Sequence, residues 1–289
     1  MARDRCASIG PDSDPMAERK QYIVRLSTAI GRALRVCMLI AMSHTWGAAQ
    51  TIYHHNTIWG RIALTDSITT RLRWELLLQH RRQNTTDDEL NALRAPLLTS
   101  YWFWLHYSLS PTTRLSVSPF GYFKNWTLIA RPTDADRPAI REFRWSARLD
   151  QEQKFVRLTL LNRYGVEYRW RDLARNNVFV PNWRVRYMLR LEKPIRAAWL
   201  KRPLSAVISD EVFVQFGRAV RGNPNVFDQN RLYGGFNVGI SPNVRASLGY
   251  IFGIQQRSSG TEFDQSNIIW TVLTFDNVLS QFKKKPVRF

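Results

Sequence analysis

Eleven segments of this chain alternate, residue by residue, between polar and apolar side chains. In TTRLRWELLLQHR, Leu72, Trp74, Leu76 and Leu78 alternate with Arg71, Arg73, Glu75 and Gln79. REFRWSARL sets Phe143, Trp145, Ala147 and Leu149 against Glu142, Arg144, Ser146 and Arg148. NRYGVEYRWRD sets Tyr164, Val166, Tyr168 and Trp170 against Arg163, Glu167 and Arg169. NWRVRYMLRLE opposes Trp183, Val185, Tyr187 and Leu189 to Arg184, Arg186 and Arg190. DQNRLYGGFNVGI and NVRASLGYIFGIQ repeat the pattern, and residues 57–64, 98–110, 113–124, 204–216 and 266–276 are further candidates. Successive side chains of a strand point to opposite faces, so a period of two predicts strands with one charged face and one apolar, aromatic face. No stretch of helical period of comparable length follows residue 49.

The connections alternate in length. SPTT (110–113), DQEQ (150–153) and SPN (241–243) read as tight turns, while residues 81–96, 125–138, 171–181, 217–226 and 257–265 read as long polar loops. KPIRAAWLKRP (193–203) falls at a turn position but is longer than its peers. Short turns at one end and long loops at the other predict an all-β, antiparallel transmembrane β-barrel of 10–12 strands, with periplasmic turns and extracellular loops. In such a barrel the apolar face meets lipid, the charged face lines the lumen, and closure pairs every backbone N–H and C=O. Trp126, Trp170, Trp183 and Tyr101 fall near segment ends, where interfacial girdles sit. Eleven segments conflict with the even strand number of bacterial single-chain barrels. The expectation is therefore ten, with 57–64 in the lumen, or twelve, with the tail after Phe275 as the last strand. Pro286 and three lysines make that tail a poor strand. The alternation alone also fits a soluble β-protein with its apolar face inward.

The chain has 289 residues and a formal net charge of +19, which points to an anionic partner or surface. No uncharged apolar run approaches the roughly 20 residues of a spanning helix. Both cysteines, Cys6 and Cys37, lie in the N-terminal fifth and build no disulfide framework. Lys20, Arg25, Arg32 and Arg35, then VCMLIAMS, then WGAAQ make the basic region, apolar core and small-residue site of a secretory signal cleaved after Ala49. Residues 1–49 are thus expected to be an N-terminal extension and signal peptide, with translation starting at Met1 or Met16. Residues 50–289 are expected to be one outer-membrane barrel domain. An uncleaved amphipathic helix is the alternative. Cys37 lacks a small residue before it, which argues against a lipoprotein anchor.

HNTIWGRIAL, NRYGVEYRW, RVRYMLRLEKP, SDEVFVQFG and FDQNRLYGGFNVGI followed by LGY occur in this order. In this the chain is similar to domain-of-unknown-function family 2490 (DUF2490), a group of Gram-negative outer-membrane β-barrels, over roughly residues 56–276. DEVF and FDQNRLY are the most specific blocks. The resemblance implies fold and location, and it carries no catalytic residue onto this chain.

The expected lumen-lining set is Arg71, Arg73, Glu75, Glu142, Arg144, Arg148, Arg157, Arg163, Glu167, Arg169, Arg184, Arg186, Arg190, Glu211 and Arg231. Arginine forks bind carboxylates bidentately, so these side chains can interlock into a plug. The excess of arginine instead suits a narrow, anion-preferring, porin-like pore. An outer-membrane lipid-modifying enzyme is the alternative, as is a soluble exported barrel binding an anionic ligand. His106 and Ser108 share one strand face, but no acid joins them there. His54 and His55 lack the carboxylate or cysteine company of a metal site. No catalytic residue, metal or cofactor is assigned. Nucleic acid is not an expected partner, because the arginines are spread over most strands instead of one patch. The expected partners are outer-membrane lipid, lipopolysaccharide and the barrel-assembly machinery. Terminal sequencing of the protein from envelope fractions should begin at Gln50 or within a few residues of it; recovery of residues 16–40 would exclude cleavage.

Overall fold

The computed structural model describes residues 51–195 and 202–282. The expected signal segment, most of the connection 196–203 and the terminal lysine-rich stretch lie outside the described residues. The eleven alternating segments are eleven strands: β1 (Thr51–Ser67), β2 (Leu72–Gln83), β3 (Ala95–Ser108), β4 (Thr113–Asn125), β5 (Ile140–Lys154), β6 (Thr159–Arg171), β7 (Val180–Ile195), β8 (Leu204–Phe216), β9 (Phe227–Ser241), β10 (Val244–Gln256) and β11 (Glu262–Phe275). They form one closed barrel in which every strand pairs with its neighbour in sequence and β1 pairs with β11. The longest helix among the described residues is a single turn, α1 (Pro132–Ala135), in the loop between β4 and β5.

Eleven strands fall within the expected 10–12, but the preference for an even number is incorrect. An up-and-down chain with an odd number of strands starts and finishes at opposite ends, so its first and last strands run the same way. β1 and β11 accordingly pair in parallel, from Thr51 opposite Glu262 to Leu64 opposite Phe275, while the ten other pairings are antiparallel. Segment 57–64 is wall, not lumen filling. The described part of the tail adds no strand and ends in a 3-10 turn, Ser280–Phe282. Asp66, at the end of β1, accepts the N–H groups of Leu279 and Ser280 at 2.6 and 2.7 Å and fixes that tail to the barrel rim.

Stepping across paired residues from Ser67 through β2 to β11 in turn returns to β1 at Tyr53, fourteen residues away. That stagger sets the strand tilt near the top of the roughly 35–45° range usual for barrels. A 13-residue strand so tilted climbs about 30 Å, enough to cross an apolar band about 25 Å tall. The strands thus outrun the 10-residue segments read from the sequence. DQEQ (150–153) is part of β5, and the turn comes after it at residues 155–158.

The outer wall is apolar. Trp183, Val185, Ile208, Leu232, Phe236, Leu248 and Ile269 are each at least 40% exposed. An aqueous surface would not tolerate so continuous a band. Tyr168 meets Trp170 edge-on and Trp183 at a tilt at the long-loop ends of β6 and β7. Tyr101 instead lies in the middle of β3, which begins at Ala95. Polar residues that interrupt the band are bonded to one another. Asp210 accepts from Asn230 at 2.7 Å, and His80 Nδ1 lies 2.9 Å from the Thr99 hydroxyl.

The apolar face is not wholly outside. Trp59, Trp102, Trp104, Phe123 and Phe213 are all buried within the barrel. They stand among inward arginines, whose guanidinium groups lie over their rings, as Arg144 does over Phe123 at 3.7 Å and Arg148 over Trp104 at 4.3 Å.

Parallel closure is open to direct test. Ile58 and Ile269 are register partners on the outer wall, and residues 50–289 contain no cysteine. Cysteines at these two positions should oxidise to an intramolecular disulfide in the folded protein, seen as a faster-migrating band under non-reducing conditions. A ten-strand barrel closed by β2 on β11 would give none.

Candidate functional site in the barrel interior

The interior holds a lattice of ion pairs on β5 to β9. Glu167 is 1% exposed. Its Oε2 accepts from Arg184 at 2.6 and 2.9 Å and from Arg144 at 3.4 Å, while Oε1 accepts from Arg186 at 2.9 Å. Glu142, equally buried, accepts from Arg169 through both oxygens at 2.8 and 2.9 Å and also from Arg144. Arg171 lies 3.7 Å from it. Arg186 reaches on to Glu211, and Arg184 to Asp228 at 3.3 Å. Four carboxylates and five arginines from five consecutive strands therefore share one connected network. Strand parity turns these groups inward, and the pairing of β5 to β9 sets them side by side.

Smaller clusters lie nearer the short-turn end. Asp150 binds Arg163 at 2.7 and 3.1 Å and Arg114 at 2.8 Å. Glu75 meets Arg148 at 3.7 Å and His106 Nε2 at 3.2 Å, and His106 Nδ1 lies 2.8 Å from the Ser116 hydroxyl. This serine–histidine–glutamate row was not visible in the sequence, because its members come from three strands. Ser116, however, has no exposed surface, so its hydroxyl has no approach for a substrate. The cavity bounded by Trp104, Arg148, Arg163, Glu167 and Arg186 holds about 10 Å³, about the minimum for one water.

Of the fifteen predicted lumen residues, the lattice gathers Glu142, Arg144, Glu167, Arg169, Arg184, Arg186 and Glu211. Arg148, Arg163 and Glu75 join the smaller clusters. Arg73 and Arg190 sit at the short-turn rim, paired with Asp276 and Glu192. Arg71 and Arg157 do not line the interior; both are exposed in turns, at residues 68–71 and 155–158. Arg231 faces inward but forms no ion pair among the described residues, and bonds only Gln229 at 2.9 Å. Arg61, Arg81, Arg114, Arg171, Asp150 and Asp228 belong to the interior and were missed. For Arg61 and Arg81 the signal was present, because Trp59–Arg61 and Gln79–Arg81 continue the inward parity of their strands.

The neighbouring histidines part company: His54 is exposed, while His55 is buried with Nε2 2.8 Å from Asp264. Above them the loop carrying α1 is tied to the β1–β11 seam. Arg257 bridges Asp264 at 2.8 Å and Asp134 at 3.0 Å. Burial opposes ionisation of Asp134, but the backbone N–H of Ala130 and the Arg257 guanidinium outweigh it and hold the carboxyl below its ordinary value. Gln83, fully buried, donates to the carbonyls of Pro96 and Thr127 and accepts from the N–H of Ile129, which draws the same loop over the end of β2.

This architecture, an inward-charged and outward-apolar closed barrel, is of the transmembrane type. The chain belongs to the family described as protein of unknown function DUF2490, whose model matches residues 56–264. No curated protein matches the chain. Among solved structures it is similar to a point mutant of the ferric enterobactin receptor PfeA from Pseudomonas aeruginosa, at 11% identity and a TM-score of 0.27. That match covers 65% of this chain and 35% of the receptor chain, so the matched region is about a third of the receptor's length.

Replacing Glu167 with Gln would leave Arg144, Arg184 and Arg186 short of a shared counter-charge in a buried setting. The expected loss is on the order of 3 kcal/mol in a urea titration of the micelle-folded protein. An unchanged midpoint would show that the lattice does not stabilise the fold.

Proposed function

We propose that the protein is an exported outer-membrane β-barrel of a Gram-negative cell whose interior is closed by its own ion pairs, so that it is not an open diffusion pore. The observation that carries this is the Glu142–Glu167–Glu211 lattice, which fixes five arginines across the lumen and leaves about 10 Å³ beside it. The apolar band supports residence in lipid, and the basic, apolar and small-residue run before Gln50 supports export across the inner membrane. Lipid and lipopolysaccharide then surround the outer wall, and the barrel-assembly machinery inserts it. Inward arginines outnumber carboxylates, so whatever small current passes is carried by anions.

Planar-bilayer recording of the refolded protein tests this. The expected record has no stepwise conductance, and Glu167→Gln should raise the residual anion current, because it takes a negative charge from a basic lumen. Large, regular steps in the unmutated protein would replace the closed reading with an open, porin-like pore.

A further inference from the structure

The ion-pair lattice does not extend round the barrel. On the facing strands β1 and β2, Trp59 is register partner to Arg81, and Arg61 to Gln79. Thr57 Oγ1, Trp59 Nε1, Arg61 Nε, Gln79 Nε2 and Arg81 Nε are all buried there without a hydrogen-bond partner. Four of the five are obligate donors and the fifth is a hydroxyl that can donate. Arg81 lies over the Trp59 ring at 3.5 Å, and Arg231 approaches the same ring from β9 at 5.0 Å. The charged groups acting most strongly on Arg81 are cations, Arg231 and Arg61 first, whereas Glu75 acts on Arg61 and Glu211 on Arg231 without forming an ion pair with either. Neither Arg61, Arg81 nor Arg231 has an ion pair among the described residues. Elsewhere in the interior, carboxylates held by two or more arginines show how this chain neutralises buried guanidinium groups.

A water molecule can accept from two of these donors but brings no charge. We infer that this side of the interior is a binding site for an oxyanion, a phosphate or phosphate monoester, held by Arg81, Arg61 and Arg231. Stacking on Trp59 fixes the plane of the Arg81 guanidinium, so its N–H edge is set before the ligand arrives. Guanidinium forks match the spacing of phosphate oxygens, and Gln79 and the Trp59 indole N–H add uncharged donors. Arg81 stands two residues before Gln83, the last residue of β2, so the nearer mouth is the long-loop end. The phosphate could be free or the headgroup of a lipid. The site rests on the inward-charged barrel described above, but does not depend on whether the lumen conducts.

The test uses the processed chain refolded in a nonionic, phosphate-free detergent, with inorganic phosphate and a short-chain phosphatidic acid as probes and chloride at equal ionic strength as control. Phosphate or phosphatidic acid should raise the unfolding temperature saturably, and calorimetry should give one site per chain. Arg81→Gln should weaken binding tenfold or more, whereas Arg190→Gln, whose arginine is already paired with Glu192, should bind as the unmutated chain does. Without phosphate, Arg81→Gln should unfold no earlier than the unmutated chain, because it removes a cation from a crowd of cations; a purely structural Arg81 would make it unfold earlier. If Arg81→Gln does not fold, Arg231→Gln serves in its place, with the same loss of binding expected. Binding of phosphate alone assigns a free oxyanion, and binding at least tenfold tighter for phosphatidic acid assigns a lipid headgroup. Absence of any effect of both probes beyond chloride, or unchanged binding by the folded variants, overturns the site. Phosphate binding together with large conductance steps would overturn the closed-lumen reading and leave the site standing. No binding with no conductance does the reverse.

Discussion

Every other feature of this molecule depends on the closure of one hydrogen-bonded ladder. A strand in lipid has no water to satisfy its N–H and C=O groups, so an open edge cannot persist there. With eleven strands the two edges that must meet, β1 and β11, run in the same direction. The chain accepts a parallel seam, whose slanted bonds are slightly weaker per residue than antiparallel ones. It makes the seam long, with fourteen register pairs from Thr51–Glu262 to Leu64–Phe275. Side chains clamp its ends. His55 meets Asp264 at the long-loop end, and Thr65 meets Asp276 at the other.

Closure fixes which face is inside, and the interior then has its own electrostatic constraint. A guanidinium removed from water costs several kcal/mol unless it is paired and hydrogen-bonded. On β5 to β9 the constraint is met by register: Glu142 stands opposite Arg171, and Glu167 opposite Arg184. Carboxylates thus occur at close intervals, each within reach of an arginine on a nearby strand, and Glu142 also of Arg144 on its own. Inward aromatic rings fill the space between and offer their faces to the cations, as Phe213 does to Arg184, Arg186 and Arg231.

The sequence made strand identity legible because alternation with period two is what a wall between lipid and a polar interior demands. It was less informative where that demand lapses. DQEQ looked like a turn, since beyond the apolar band no outward residue need be apolar, yet β5 continues through it and Asp150 holds two arginines. Arg71 and Arg157 have the parity of inward residues but lie in the turns, where parity no longer assigns a face. The pairing of Glu167 with Arg184 and Arg186, and the row from Ser116 through His106 to Glu75, depend on register between strands. One strand's pattern carries no information about that. The parity rule for strand number failed for a different reason. It presumes that both ends of the barrel's chain lie on one side of the membrane, and Thr51 and Phe275 lie at opposite ends of this barrel.

The closing seam also explains why the interior is electrostatically lopsided. β1 places His55, Thr57, Trp59, Arg61, Ala63 and Thr65 inward, with no acid among them, and the inward positions of β10 include Gly249 and Gly253. Gly249 has no room for a Cβ, because the Tyr233 ring would lie 2.4 Å from it. Of the acids of β11 at the long-loop end, Asp264 is already engaged by His55 and Arg257, and Glu262 by Tyr53 and Arg131. The lattice of β5 to β9 therefore runs out of carboxylates at β9, the inward acid of β2, Glu75, is taken up by His106 and Arg148, and Arg61, Arg81 and Arg231 are left without an ion pair among the described residues. A chain selected only for stability would replace such cations or supply an acid, since glutamate is used freely four strands away. A buried violation of charge balance kept beside an otherwise satisfied network is the kind of local conflict that function, not folding, maintains.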